Sequence, residues 1–307
     1  MLPDPVVPLG LAYLSSSLKA QRHEVQVLDL CFRENIAVAL EQAVSQWQPE
    51  VLGLSLRNVD NVAYPATVSY LPFYKELVRK CRDLTSAPVF LGGSGFTLMP
   101  REILEYLGAD GGVIGEGEET FPQILGDGKE LSSHPLPGWV TPQDRSPIYP
   151  ACISDLNSLP APDWGNLNLT EYFNRGGMGS LQTKRGCPFT CIYCTYPLIE
   201  GRGIRLRSPE KVAQDAQSLV QRGIDNAFIV DNIFNHPERH AREVCRTLIE
   251  RKIPLRWSCY AHPAYFSAPL AKEMKEAGCT GVEFGTDSGS PRVLAKLGKN
   301  FSPEDIR

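Results

Sequence analysis

Leu11, Leu14 and Leu18 recur at the spacing of one helix face, which predicts an amphipathic helix over 9–21. The next run, EVQVLDL (24–30), is rich in apolar and β-branched residues and predicts a strand. A helix is expected over 34–47, stopped before Pro49, and VLGLSL (51–56) has the unbroken apolar character of a buried strand. Helix 71–84, strand PVFLGG (88–93), a short helix at 100–107, strand GGVIG (111–115) and a helix from Glu118 continue the series. After a gap the alternation resumes with strand 178–184, helix 209–222, strand 226–230, helix 238–251, strand 255–260, helix 267–277 and strand 281–285. SPEDIR at the end has the form of a Ser-capped helix start with proline at its first position. Strands alternating with helices imply α/β architecture, with parallel sheets covered by helices.

Between the two series, residues 126–177 lose periodicity and become Pro-rich, as in SSHPLPGWVTPQDRSPIYP and LPAPDW. This divides the chain into a first domain (1–127), a linker (128–177) and a second domain (178–307). A parallel sheet would place a strand before helix 9–21, but Met1–Val7 carries two prolines, so the first strand is expected to be absent. The second series breaks off within its fourth βα unit.

Composition places these elements in a water-soluble setting. Hydrophobic residues make up 42% of 307 and the formal net charge is −4, which disfavours nucleic acid or an anionic membrane as the main partner. No run is long and apolar enough to span a bilayer, and the first residues lack the pattern of a signal peptide, so a cytoplasmic location is expected. Of nine cysteines, six (Cys31, Cys81, Cys152, Cys245, Cys259, Cys279) are dispersed and read as ordinary thiols.

The other three lie together in KRGCPFTCIYCTYP (184–197) as Cys-x3-Cys-x2-Cys. Soft thiolates in one loop select zinc or an iron–sulfur cluster. A structural zinc wants four ligands, and the nearest further Cys or His is His236, whereas three ligands on a four-iron cubane leave one iron open. The stretch resembles the signature loop of the radical S-adenosylmethionine (SAM) superfamily, including the aromatic Tyr193 before the last cysteine. The resemblance implies that Cys187, Cys191 and Cys194 each bind one iron of a [4Fe–4S] cluster. It implies that SAM chelates the fourth iron and is cleaved to a 5′-deoxyadenosyl radical. FIVDNIFNHP (228–237), LRWSCYAHP (255–263) and VEFGTDSGSPRVLAKLGK (282–299) resemble the following strands of that family's partial barrel. Polar residues at carboxyl strand ends are where such barrels bind ligands, which makes Asp231, Asn232, Ser258, Glu283 and Ser288, with Tyr193, candidates for SAM. Each of the five strand-end residues can also be a turn or cap, and His236 and His262 read as loop residues.

In the first domain, three strand ends carry unusual turns: Arg57-Asn58 after 51–56, Gly92-Gly93-Ser94-Gly95 after 88–93, and Glu116-Gly117-Glu118 after 111–115. Ligands of parallel sheets gather at this edge. VPLGLAYL, LSLRNVDN, LGGSGFTLMP and GVIGEGEE resemble the Rossmann-like cobalamin-binding domain, of flavodoxin-type strand order, that is fused to many radical SAM enzymes. The cobalamin contacts this implies are Leu9, Gly10, Arg57, Asn58, Gly92, Gly93, Ser94, Gly95, Glu116, Gly117 and Glu118. No Asp-x-His-x-x-Gly is present, so no protein imidazole is expected below the cobalt. Arg57 would cover that face without ligating, the alternative being that it pairs with Asp60 or another carboxylate.

The resemblance implies methyl transfer to a carbon of a small-molecule substrate, with a one-electron reductant such as flavodoxin or ferredoxin. Cobalamin-dependent radical cyclisation or rearrangement without methylation stays open. A tRNA methylthiotransferase would need a second trio of clustered cysteines in the first domain, where Cys31, Cys81 and Cys152 are scattered. Because related barrels have about six βα units, a chain that binds the cluster without turning over is a further reading.

Overall fold

The computed structural model describes residues 5–126, 136–145 and 149–307. The parts of the expected linker at 128–135 and 146–148, and Met1–Asp4 of the stretch ahead of the first helix, lie outside the described residues. Two compact units are present. The first is built on Gly10–Ile153 with Gly165–Leu167; the second is built on Asn168–Arg307 with Ser154–Trp164 and the segment ending at Leu9.

In chain order the first unit runs α1 (Leu9–Ala20), α2 (Ile36–Trp47), β1 (Leu52–Ser55), α3 (Leu71–Leu84), β2 (Val89–Gly92), α4 (Ser94–Leu98), α5 (Pro100–Leu107), β3 (Gly111–Val113), α6 (Gly117–Leu125) and β4 (Trp139–Val140). Its strands pair in the order β1-β2-β3-β4, parallel except for β4. Alternation along β2 explains the layering. Val89 and Leu91 point into a cluster with Val78, Cys81, Ile103 and Leu104 from α3 and α5. Phe90 points the other way, against Leu18 of α1 and Phe121 and Ile124 of α6. Both faces are therefore covered, and each fully buried Leu or Phe contributes about 1.5–3 kcal/mol.

Two features differ from the sequence expectation. Residues 24–30 form no ladder. In flavodoxin-type order this segment sits one place away from β1, and among the described residues no strand fills the place between. Val25, Leu28 and Leu30 still pack on the two cores, so the apolar pattern is satisfied by burial alone. The second difference is β4, an antiparallel strand from the Pro-rich stretch, which places Trp139 edge-on to Phe90 at 5.1 Å.

The second unit contains α7 (Leu169–Asn174), β5 (Gly179–Leu181), β6 (Lys184–Arg185), α8 (Tyr196–Ile199), β7 (Arg205–Leu206), α9 (Pro209–Val220), β8 (Asn226–Ile229), α10 (Glu238–Glu250), β9 (Arg256–Ala261), α11 (Ala268–Glu276), β10 (Cys279–Phe284), α12 (Pro291–Lys296) and α13 (Pro303–Ile306). Strands β5, β8, β9 and β10 form one parallel sheet, in the order β10-β9-β8-β5. On β9, Trp257, Cys259 and Ala261 are buried, while Ser258 and Tyr260 project from the opposite, more open face. The single strand expected at 178–184 is split. After Leu181 the chain turns, and β6 pairs with β7 in a separate antiparallel ribbon.

Helix starts follow the sequence signals. Ser208 caps α9 ahead of Pro209, and Ser302 and Asp305 form a reciprocal capping box at α13. A buried ion pair, Arg207 with Asp215 at 2.7 Å, also donates from Arg207 Nη1 to the Leu156 carbonyl, anchoring the 154–164 segment to the unit.

Candidate functional site

The cysteine loop leaves the short ribbon through Gly186, whose φ of +91° is the left-handed region open to glycine. A side chain here would collide with the Gly203 carbonyl. Both legs of the loop are held by the end of β8. Asp231 is 1% exposed and accepts from Thr183 N at 2.7 Å, Thr183 Oγ1 at 2.5 Å and Lys184 N at 3.3 Å, with the Lys184 ammonium 3.2 Å away. Next to it, Asn232 Nδ2 donates to Glu200 Oε2 at 2.7 Å, and the same oxygen accepts Gly186 N at 3.0 Å. The Asn232 Oδ1 atom is buried without a hydrogen-bond partner.

Within the loop, Cys187 N donates to Gly201 O and Cys194 N to Cys191 O, both at 3.1 Å. Cys187 is buried while Cys191 and Cys194 are partly open. Burial pushes the Cys187 thiol up; the Phe189 backbone amide opposes this, and the charges of Cys194, Cys191 and Glu200 add to it. The three thiols thus lie within electrostatic reach of one another. Among the described residues, no three His, Cys, Asp or Glu side chains converge on a point suited to a single ion. Three soft thiolates spread around a loop suit a polynuclear iron–sulfur cluster, and all nine cysteines are free thiols.

The other SAM candidates fall into two groups. Ser258 and Glu283 project from the open face of the sheet, Glu283 in register with Tyr260. Tyr193 and Ser288 belong to loops: Tyr193 Oη donates to Asp287 Oδ2 at 2.6 Å, and Ser288 Oγ accepts Ser290 N at 3.1 Å. Asp231 has both carboxylate oxygens engaged by the protein, so in this structure it acts as an anchor of the loop. His236 and His262 surround Phe189 with Tyr265; the His262 ring stacks on Phe189 at 4.7 Å. Burial holds both imidazoles below their ordinary pKa, His262 at about 4. Beside them a cavity of about 560 Å³ is lined by Pro188, Phe189, His236, Tyr265 and Lys299 among others.

At the carboxyl edge of the first unit's sheet, the candidate glycines differ in kind. A side chain on Gly93 (φ +93°) would lie 2.6 Å from the Leu56 carbonyl oxygen, and one on Gly95 would lie 3.1 Å from that of Arg57. Ser94 Oγ donates to the Arg57 carbonyl at 2.8 Å. This turn is therefore fitted to the end of β1 rather than standing open. Gly10, Gly92 and Gly117 have ordinary room around them. Leu9 is buried at the start of α1. Glu116 and Glu118 are also buried, and Glu116 Oε2 accepts Ile153 N at 2.7 Å. Asn58 is half-buried, and Arg57 is exposed. Asp60, the alternative partner for Arg57, instead accepts Val62 N at 2.7 Å. The loop that follows exposes Val62, Tyr64 and Val68. An open apolar rim with a guanidinium and room at three glycines fits a broad, amide-fringed macrocycle such as cobalamin.

Sequence reasoning missed Glu200, Thr183, Lys184, Asp287 and Lys299. Only the three-dimensional path of the loop makes them neighbours, and no local pattern marks them.

Comparison with known proteins matches both halves of the chain to described families. A B12 binding domain model matches residues 2–125 and a radical SAM superfamily model matches residues 181–307. A tryptophan 2-C-methyltransferase from Streptomyces laurentii is 27% identical, the match covering 94% of this chain and 59% of the relative. An anaerobic magnesium-protoporphyrin IX monomethyl ester cyclase from Rubrivivax gelatinosus is 25% identical over 97% of this chain and 54% of its own length. Among solved structures, the radical SAM methyltransferase TsrM from Kitasatospora setae, with cobalamin and a [4Fe–4S] cluster bound, superposes with a TM-score of 0.87 at 28% identity. That match covers all of this chain and 64% of TsrM. The chain thus spans about three-fifths of the length of these methyltransferases. Among the described residues, no helix is long and apolar enough to cross a membrane.

Proposed function

Because the chain belongs to the cobalamin-binding-domain family of radical SAM proteins, we propose that it supports cobalamin-dependent methyl transfer from SAM to a carbon of a small-molecule substrate. The observation that carries this reading is the three-cysteine loop set at the carboxyl ends of parallel strands, in a chain whose other unit has the B12-binding fold. When bound, the cluster supplies a single electron to SAM and the cobalamin supplies a nucleophilic metal for the methyl group.

The chain's own residues do the holding. Cys187, Cys191 and Cys194 would each take one iron, and Asp231 and Glu200 fix the two legs of their loop. Tyr193, Asn232, Ser258, Glu283 and Ser288 would contact SAM; the unpaired Asn232 Oδ1 offers an acceptor for an amino or hydroxyl donor. In the first unit, Gly10, Gly92 and Gly117 would leave room for the corrin, Asn58 would flank it, and Gly93–Gly95 and Glu116–Glu118 would shape the path of its tail. Free thiols and an iron–sulfur site suit a reducing cytoplasmic setting with a flavodoxin- or ferredoxin-type donor.

Arg57 would face the corrin without ligating, since a guanidinium has no free lone pair. Arg57→His would then supply an imidazole where none stood, and the absorption spectrum of bound cob(II)alamin is expected to shift toward the imidazole-ligated form. An unaltered spectrum would place Arg57 away from the cobalt.

The cyclase relative keeps a second reading in view, ring formation without methylation. The two separate on one experiment: the reconstituted protein, given SAM, reductant and a trial substrate, is analysed for S-adenosylhomocysteine and 5′-deoxyadenosine. S-adenosylhomocysteine supports methyl transfer, 5′-deoxyadenosine alone supports the second reading, and neither product opposes both.

A further inference from the structure

Lys299 occupies an unusual position. Its side chain is only 6% exposed, yet it makes three polar contacts. It donates to Tyr193 Oη at 2.6 Å and to the Gly285 carbonyl at 2.9 Å, and it is ion-paired with Asp287, which also accepts from Tyr193 Oη. The ammonium also faces two rings, Tyr193 centred 5.0 Å away and Phe301 at 5.8 Å. The two residues before it brace the same loop. Leu297 O accepts Ile192 N at 3.0 Å, and Gly298, at φ +68°, lies so close that a side chain would come within 2.7 Å of the Thr190 carbonyl oxygen. Leu297, Gly298 and Lys299 therefore hold three neighbouring points of the cysteine loop. Asp287 itself adopts a φ of +58°, uncommon for a residue with a side chain, and the ion pair accounts for its being held there.

We propose that Lys299 is a positioning and charge-setting residue for the cluster: with Asp287 and Tyr193 it clamps the loop after β10 onto the cysteine loop, and its ammonium, hydrogen-bonded to Tyr193 between Cys191 and Cys194 in the chain, raises the cluster's reduction potential. This rests on the reading that the three cysteines hold a [4Fe–4S] cluster. Burial works against the ammonium, but the hydrogen bonds to Asp287 and Tyr193 outweigh it, so Lys299 stays protonated. Reduction adds one negative charge to the cluster. A fixed cation nearby lowers the cost of that charge, and net charge around a cluster is one of the factors that set its potential.

The test is an EPR-monitored redox titration of the anaerobically reconstituted protein and three variants, after iron and sulfide have been measured in each. Lys299→Met keeps the stem and removes the charge, and its midpoint is expected to move to more negative potential. Asp287→Asn leaves the ammonium without its counter-charge, and its midpoint is expected to move the opposite way. Lys299→Arg is expected to stay near the parent. A shift of about 59 mV corresponds to a tenfold change in the reduced fraction at fixed potential, which the titration resolves. Midpoints that move in the same direction, or not at all, with clusters loaded as in the parent, would overturn the proposal. Should Lys299→Met fail to fold, the sign of the Asp287→Asn shift decides alone. A parent that takes up no iron–sulfur cluster overturns the cluster reading itself, an outcome distinct from a loaded parent whose variants do not shift.

Discussion

Replacing Cys187 with alanine is expected to abolish stable cluster uptake while leaving cobalamin binding intact. Cys187 is the buried member of the trio, and its backbone amide is fixed to Gly201, so no neighbouring thiol can take its place without breaking the loop. A lost ligand should cost more than the 10- to roughly 100-fold that removal of a mere outer hydrogen-bond partner costs a metal site. Apart from Leu9, the proposed cobalamin residues belong to the other compact unit, so cobalt content should stay at the parent level. Iron, sulfide and cobalt assays on Cys187→Ala, reconstituted beside the parent, check both halves. Loss of cobalamin along with iron would mean that the substitution had unfolded more than the loop.

Asp231→Ala is expected to act more broadly, by destabilising the second unit. The substitution leaves the Lys184 ammonium buried, 3% exposed, with its carboxylate partner gone, and it removes the acceptor of Thr183 N and Thr183 Oγ1. Breaking a buried pair on one side costs about 3–5 kcal/mol. Chemical denaturation followed by tryptophan fluorescence, to which Trp164 and Trp257 of the second unit contribute, should show an earlier transition in the variant. Replacing Lys184 as well, as Lys184→Met with Asp231→Ala, should recover part of the loss, because the stranded charge is removed. An Asp231→Ala protein as stable as the parent, with weaker SAM binding alone, would return Asp231 to the role of a SAM ligand.

That contrast shows where a linear pattern stops being informative. The alternating apolar segments located nearly every main strand and helix, because period and burial are local consequences of residue order. The cysteine loop was equally visible, since its three cysteines lie within eight residues. The 24–30 segment misled because an apolar run marks burial, and only a neighbouring strand makes it part of a sheet. Strand β4 was hidden in a Pro-rich stretch with no alternation. Within the site, the glycines at 93 and 95 were visible, but their close approach to the end of β1 was not. Glu200, Lys299 and the anchoring role of Asp231 depend on contacts across 14 to 106 positions of sequence, which no spacing rule encodes.

The most direct measurement is the metal and cofactor content of the anaerobically reconstituted chain. About four iron and four sulfide per chain, with one equivalent of cobalamin retained through gel filtration, is the expected result for a single cubane on three cysteines beside a B12 domain. Zinc in place of iron, with no cobalamin retained and no cleavage of SAM under reducing conditions, would contradict it.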